Sequence, residues 1–588
     1  MRYVLSPAGP RTHVFGLTLE LDAPDPDGQR LALPAWIPGS YMIRDFARHL
    51  VSIRARAGGE PVAVEKLDKQ TWRCAPCDGP LRVEYEIHAR DASVRAAYLD
   101  DTGGFCNGTS VFLHPPDRRA GPIELTVTRP PETDGPGWQV ATAMTPVDTD
   151  GDGFGRYRAA DYEDLVDHPL HFGDFTTLRF EAAGVPHEVV LPGHPRLDAE
   201  RLCRDLATVC RQHAALFGEL PPARYLFFMH LVARGYGGIE HRASTVLDIA
   251  RDSLPQPGDP EDREAYRELL GLCSHEYFHL WNVKRIRPAA FVPYDLTREV
   301  HTTLLWAFEG ITSYYDDLAL CRSGLLPLQA WLDRVARIVT RVYRGPGRGH
   351  QTLLDSSFDA WTRFYKADEN APNAIVSYYA KGALVALALD LTLRLGTDDR
   401  VSLDHVMREL WQRHGRTDVG VPEDGVERIA EAVSGLDLQA FFDQALRSTR
   451  DLELAGLLAP FGIDLRWEAA EPGDAYSPQL GAAFETDREL PCLRQVFTAG
   501  AAQRAGLAPG DRVVAIDGLR CPAATFAHHV ARYPAGMPLT VHVFRDDRLL
   551  RRELVPDEPA RDRCRLAPAG DADAAALRRR AAWLEAPA

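Results

Sequence analysis

The chain has 588 residues and a formal net charge of −16, too long for one hydrophobic core and therefore expected to divide into about three or four domains. The acidic balance excludes a nucleic-acid or anionic-membrane surface, since both need a basic face. With no membrane-length apolar run, no signal-peptide core at the start and ten scattered cysteines that suit reduced thiols, a cytoplasmic protein is expected.

Residues 1–190 read as β-rich. Phe15, Leu17, Leu19 and Leu21 alternate with small or polar residues, as do Leu81, Val83, Tyr85 and Ile87, and then Ile123, Leu125 and Val127. Turns rich in Gly, Pro and Asp separate these runs, which predicts a sandwich-like antiparallel domain. Trp36–Tyr41 and Gly103–Gly108 read as loops carrying aromatics, with turn and packing roles favoured over a place in a substrate cleft. Cys74 and Cys77 form a lone C-x-x-C without a second pair at zinc-ribbon spacing.

Over 195–450 the period becomes helical, opening with Leu202, Leu206, Val209 and Cys210, and Tyr225–Val232 interrupts it as a strand. Gly237, Gly238 and Glu240 follow directly. Glycines at a strand end let another backbone approach, and a carboxylate beside them can hold an ammonium group. The next helix is expected to start from Asp259 as N-cap with Pro260 at the first position and to run to Arg287-Pro288. It carries His275-Glu276-Tyr277-Phe278-His279. Positions four apart stack on one helix face, so both imidazoles can address one metal ion while Glu276 stands just round the cylinder.

A further helix is expected from Thr302 to about Leu320, with Leu304, Phe308, Ile311, Tyr315 and Leu318 as its core stripe. Glu309 lies beside that stripe, thirty positions after His279. Because the two-histidine helix lacks a third protein ligand, Glu309 is the best-placed acidic candidate. Ser377-Tyr378-Tyr379-Ala380-Lys381-Gly382 precedes another apolar helix, and a phenol at a helix start can donate to a developing oxyanion. Past a turn near Gly462 the pattern is β again. The run Gly506-Leu507-Ala508-Pro509-Gly510-Asp511-Arg512-Val513-Val514-Ala515-Ile516-Asp517-Gly518 resembles a PDZ domain, which adds a peptide strand to a sheet edge and receives a terminal carboxylate. The tail after about 560 is expected to be a short charged helix or disordered.

Together His275–Pro288, the stretch around Glu309, Ser377–Gly382 and the PDZ-like run resemble the glycyl aminopeptidase family, zinc peptidases of the gluzincin group, and Trp36–Phe46 resembles that family's leading domain. The resemblance implies a multidomain α+β chain: a β-rich N-terminal domain (1–190), a thermolysin-like, mainly helical catalytic domain (195–450), a PDZ domain (460–557) and a charged tail (558–588). It implies His275, His279 and Glu309 as ligands of one zinc ion, Glu276 as general base, and Tyr379, or Tyr378 in its place, as oxyanion donor. Gly237-Gly238-Ile239-Glu240 resembles the substrate-anchoring strand of related aminopeptidases, except that His241 stands where they carry asparagine. The implied activity is removal of N-terminal Gly or Ala from peptides with a free amino terminus, with a peptide or protein C-terminus as the PDZ ligand. The rival readings are a processing endopeptidase and an inactive scaffold that recruits partners through the PDZ domain.

Overall fold

Alternation of apolar and polar residues builds the strands of the leading region. In Leu81–His88 every second side chain is buried, and the strand pairs antiparallel with Val14–Leu21 and with Leu50–Ala57 in an eight-stranded sheet that includes Ile123–Val127. Gly103–Cys106, expected as a loop, is a strand between Ala97–Asp100 and Leu170–Gly173. A Cβ at Gly103 or Gly104 would strike Phe172 and Leu99, so these glycines serve close sheet packing and not a turn.

The computed structural model describes residues 1–116, 120–131, 137–470, 475–485 and 489–585. Residues 471–474 and 486–488 of the expected PDZ region, and 586–588 of the tail, lie outside the described residues. The chain forms two compact units, Met1–Val300 with Leu410–Val421, and His301–Glu409 with Pro422–Glu585.

In the first unit, strands β1 (Phe175–Ala182), β2 (Val185–Pro192), β3 (Tyr225–Val232), β4 (Tyr236–Glu240) and β5 (Ser244–Ala250) form a sheet in the order β1-β2-β3-β5-β4. Strand β4 is its antiparallel edge. Helices α1 (Ala199–Phe217) and α2 (Glu264–Phe278) pack on each other, and α2 also packs on β4 and β5. Helix α2 is shorter than expected at both ends. At its start the carbonyls of Asp259, Pro260 and Glu261 accept hydrogen bonds from the Arg201 guanidinium, so the Asp-Pro signature serves a tertiary contact. At its end His279 is the C-cap, and Arg285 turns back to donate to the Leu280 carbonyl at 2.9 Å.

One face of α2 is anchored through Tyr277, whose ring lies 4.8 Å from that of Tyr225 and whose hydroxyl pairs with His187 Nε2 at 2.9 Å. Burial pulls the His187 imidazole down from its ordinary value to about 4. The unfolded chain therefore takes up a proton near pH 6.5 that the fold refuses until about pH 4, so stability falls as the pH drops through that window. Chemical denaturation should find the fold about 2–3 kcal/mol less stable at pH 4.5 than at pH 7 from this group. His187→Gln should reduce that loss, and an unchanged pH slope would assign it elsewhere.

In the second unit a π-helical turn, Trp306–Gly310, leads into α3 (Ile311–Arg322), followed by α4 (Leu328–Arg344) and α5 (Ala380–Thr397). Helix α5 is apolar around most of its surface and accordingly buried. Its start closes on the π turn where Gly310 meets Gly382, since a Cβ on either would collide with the other's backbone. Beyond Gly462 come β6 (Ile463–Glu468), β7 (Ala482–Glu485), β8 (Cys492–Val496), β9 (Arg512–Ile516), β10 (Leu539–Arg545), β11 (Arg548–Leu554) and β12 (Arg563–Pro568). Strands β7 to β11 follow Tyr476–Ser477 in one sheet around a core that includes Phe484, Leu493, Val513, Val541 and Phe526. In the tail, β12 pairs with β6, and α6 (Ala574–Leu584) seats Trp583, fully buried, with its indole N–H donating to the Tyr314 hydroxyl at 2.9 Å. Among the described residues no helix is long and apolar enough to cross a membrane.

Candidate active site

The last turn of α2 points its polar side chains away from the Tyr277 anchor and towards the edge strand β4. The His275 and His279 rings lie 4.7 Å apart and nearly perpendicular. His279 Nδ1 is 2.6 Å from the carbonyl oxygen of Asn282; a carbonyl only accepts, so Nδ1 carries the proton and Nε2 keeps its lone pair for a metal. Imidazole nitrogens with neighbouring carboxylates are a donor set that divalent transition ions take, so these residues fit such an ion.

Glu276 is 5% exposed and lies against β4 at Gly238, where any Cβ would collide with its carboxylate. The strand's own backbone is held there by Arg95, which donates to the Gly238 carbonyl at 3.1 Å. At the end of β4, Glu240 is 3% exposed, and donor atoms of Glu240, Glu276 and His279 all lie within 4.8 Å of one another. Two buried carboxylates at this spacing repel unless a cation or a proton sits with them. Gly237, the residue before Gly238 on β4, has open space where a Cβ would stand.

Two contributors escaped sequence reasoning. Gly39, in the Trp36–Tyr41 loop, has φ +96° and presents its backbone to the Glu240 carboxylate, so the loop expected to serve turns and packing also borders the site. The sequence offered only a Pro38-Gly39 turn inside an aromatic-bearing loop, which does not say what the loop meets. Behind Glu240, the carboxylate of Asp167 meets Lys284 Nζ at 2.6 Å, the Arg242 backbone N–H at 2.7 Å and His241 Nδ1 at 3.3 Å. Burial depresses His241, partly opposed by Asp167, while burial's pull on Lys284 is outweighed by Asp167 and the field of Glu240, which hold its ammonium charged. His241 thus has a buried carboxylate partner where an asparagine would offer an amide.

Glu309 and the tyrosines belong to the second unit. Glu309 is 1% exposed on the π turn, a local geometry frequent at functional sites. Tyr379 takes the N-cap position of α5 and is half-buried; Tyr378 is fully buried. Burial pushes the Tyr378 phenol well above its ordinary value, with Tyr365 and Glu309 adding to the rise. Phe364 packs on both tyrosines, 4.7 Å from Tyr378 and stacked 5.5 Å from Tyr379. All ten cysteines are free, and burial pushes Cys74 up to about 12, which makes it a poor nucleophile.

Residues 2–174 match the family model described as Peptidase M61 N-terminal domain, and residues 268–385 match M61 glycyl aminopeptidase. Among solved structures, an aminopeptidase N family protein from Idiomarina loihiensis is 38% identical, with 99% of each chain covered and a TM-score of 0.95. A zinc metallopeptidase of the M1 group from Deinococcus radiodurans, solved as a mutant bound to a Tyr-Ser-Ala substrate, is 16% identical over 77% of this chain and 94% of its own, with a TM-score of 0.46. No curated protein matches the chain. With both family models in place along the chain and a full-length likeness at 38% identity, the protein belongs to the M61 glycyl aminopeptidase family and is a metallopeptidase, a hydrolase of peptide bonds.

Proposed function

We propose that the chain is a zinc aminopeptidase that removes N-terminal residues, Gly or Ala by family likeness, from peptides with a free amino terminus. The observation that carries this reading is the meeting of Glu240 with Glu276 and His279 at the edge of β4. A substrate ammonium held by Glu240 beside the base fixes the cut after the first residue and relieves the repulsion between the two carboxylates.

In this reading His275, His279 and Glu309 would hold one zinc ion, with the π turn and the burial of Glu309 supporting its choice as third ligand. When bound, zinc supplies the Lewis acidity that brings the pKa of a water near neutrality. Glu276 accepts that water's proton and passes it to the leaving amine. The Tyr379 hydroxyl donates to the developing oxyanion; its partial exposure at a helix start favours it over the sealed Tyr378. Gly237, with open space at its Cβ position, leaves room for the substrate backbone along β4, and Gly238 lets the Glu276 carboxylate stand against the strand beside it.

The domain scheme proposed is a β-rich leader (1–190), a thermolysin-like catalytic domain (195–450), a PDZ domain (460–557) and the terminal segment (558–588). The sheet of β7 to β11 with its single core supports the PDZ reading, in which the ligand is a peptide or protein C-terminus. Ten free thiols suit the reducing cytoplasm.

The test is a panel of glycyl and alanyl substrates with free or acetylated amino termini. Wild-type protein should hydrolyse the free forms at least about a hundredfold faster, and Glu240→Ala should erase most of that preference. Equal cleavage of acetylated peptides by the wild type would favour an endopeptidase instead.

A further inference from the structure

The second unit contains an open cleft of about 1050 Å³ between α4, the segment leading into α5, and the strands β8 and β12. Its walls are strongly cationic in a chain whose formal charge is −16. On α4, Asp333, Arg337, Arg341 and Arg344 recur at spacings of four, four and three, which places them on one helix face, and all four line the cleft. Arg348 from the following turn, Arg494 from β8, and Arg563 and Arg565 from β12 complete the ring, against a single further acid, Asp368.

Some of this charge is already spent. Arg344 pairs with Asp562 at 3.2 Å and lies over the Tyr476 ring; Arg348 pairs with Asp451 at 3.0 Å; Arg565 reaches Glu468 only at 3.7 Å. Arg341 and Arg494, both exposed, have no carboxylate partner among the described residues. Fixed like charges facing one another across a cleft repel, and an anion between them removes that cost. Guanidinium forks match carboxylates in particular.

The cleft's position limits what that anion is. Phe364, Ser377 and Ala380 line it, and they flank or stack on Tyr378 and Tyr379. An enzyme that removes one residue at a time leaves a single residue before the cut, so any longer part of the substrate lies on the leaving side. We infer that the cleft receives the leaving side of peptide substrates and selects for Asp and Glu there. The inference rests on the aminopeptidase reading and adds a substrate class to it.

The experiment compares Gly-Ala-Glu-Glu-Glu with Gly-Ala-Lys-Lys-Lys on the full-length zinc-loaded protein. The acidic peptide should be preferred by about tenfold in kcat/KM, chiefly through KM, and less so at high salt. The overall negative charge acting alone would give the opposite order. In Arg341→Glu and Arg494→Glu the ratio between the two peptides should fall towards one, and in the milder Arg341→Gln it should fall partway. A wild-type ratio of one or below, or a ratio that the variants leave unchanged, overturns the inference. If neither peptide nor a glycyl anilide is hydrolysed, the aminopeptidase reading has failed by itself. Fluorescence anisotropy with labelled acetyl-Ala-Glu-Glu-Glu then decides the cleft: binding weakened by Arg494→Glu upholds it, and no binding overturns it.

Discussion

Glu276→Gln is expected to lower kcat for glycyl anilides by on the order of a thousandfold while leaving zinc bound and the fold intact. The amide has the same shape and fits the space that Gly238 leaves against β4, but it cannot take a proton from water. General-base contributions of a hundredfold to ten-thousandfold are typical. Glu240, which has a carboxylate oxygen within 4.8 Å of one on Glu276, is committed to the substrate ammonium in the same reading. Steady-state kinetics with metal analysis on the same sample checks both halves of the expectation. Full activity in the variant would remove Glu276 from the chemistry.

His279→Ala is expected to abolish metal retention and with it activity, a loss on the order of a thousandfold or more. The argument lies in the short bond to the Asn282 carbonyl, which fixes the ring's tautomer and aims Nε2 before any ion arrives. Plasma emission analysis after dialysis should find about one zinc per chain in the wild type and almost none in the variant. Glu309→Ala should behave the same way if that carboxylate is the third ligand, and retention of a full equivalent of zinc would strike it from the set. Chelation followed by added zinc should restore the wild type and leave both variants inactive.

Much of this was legible in the sequence where local pattern and tertiary packing agree. Tyr225–Val232 is a strand over the same residues that its apolar run marks: it is paired on both edges, and its side chains from Tyr225 to Met229 are buried in succession. The two-histidine motif sits on a helix for the same reason: Tyr266, Leu269, Leu270 and Tyr277 are buried around it. Reading failed where a local signal was recruited by a distant partner. Asp259-Pro260 looks like a helix start, but its carbonyls serve Arg201, nearly sixty residues earlier in the chain. The helix also stops at His279 and does not reach Pro288, since Arg285 folds back on Leu280. Gly39 and Arg95 could not be found by spacing at all, because their role depends on a loop and a turn arriving at β4 from the leading domain. The tail does contain a short helix, Ala574–Leu584, as one of its two expected forms, whereas the burial of its Trp583 indole against a distant helix left no local signal.

That indole has a bearing on biogenesis. The Tyr314 hydroxyl waits for Trp583, which the ribosome adds 269 residues later, and the Trp331 ring packs against the same indole. Native packing around α3 and α4 is therefore completed only once residue 583 has been added, and a nascent chain held short of Trp583 presents an apolar socket of the kind chaperones engage.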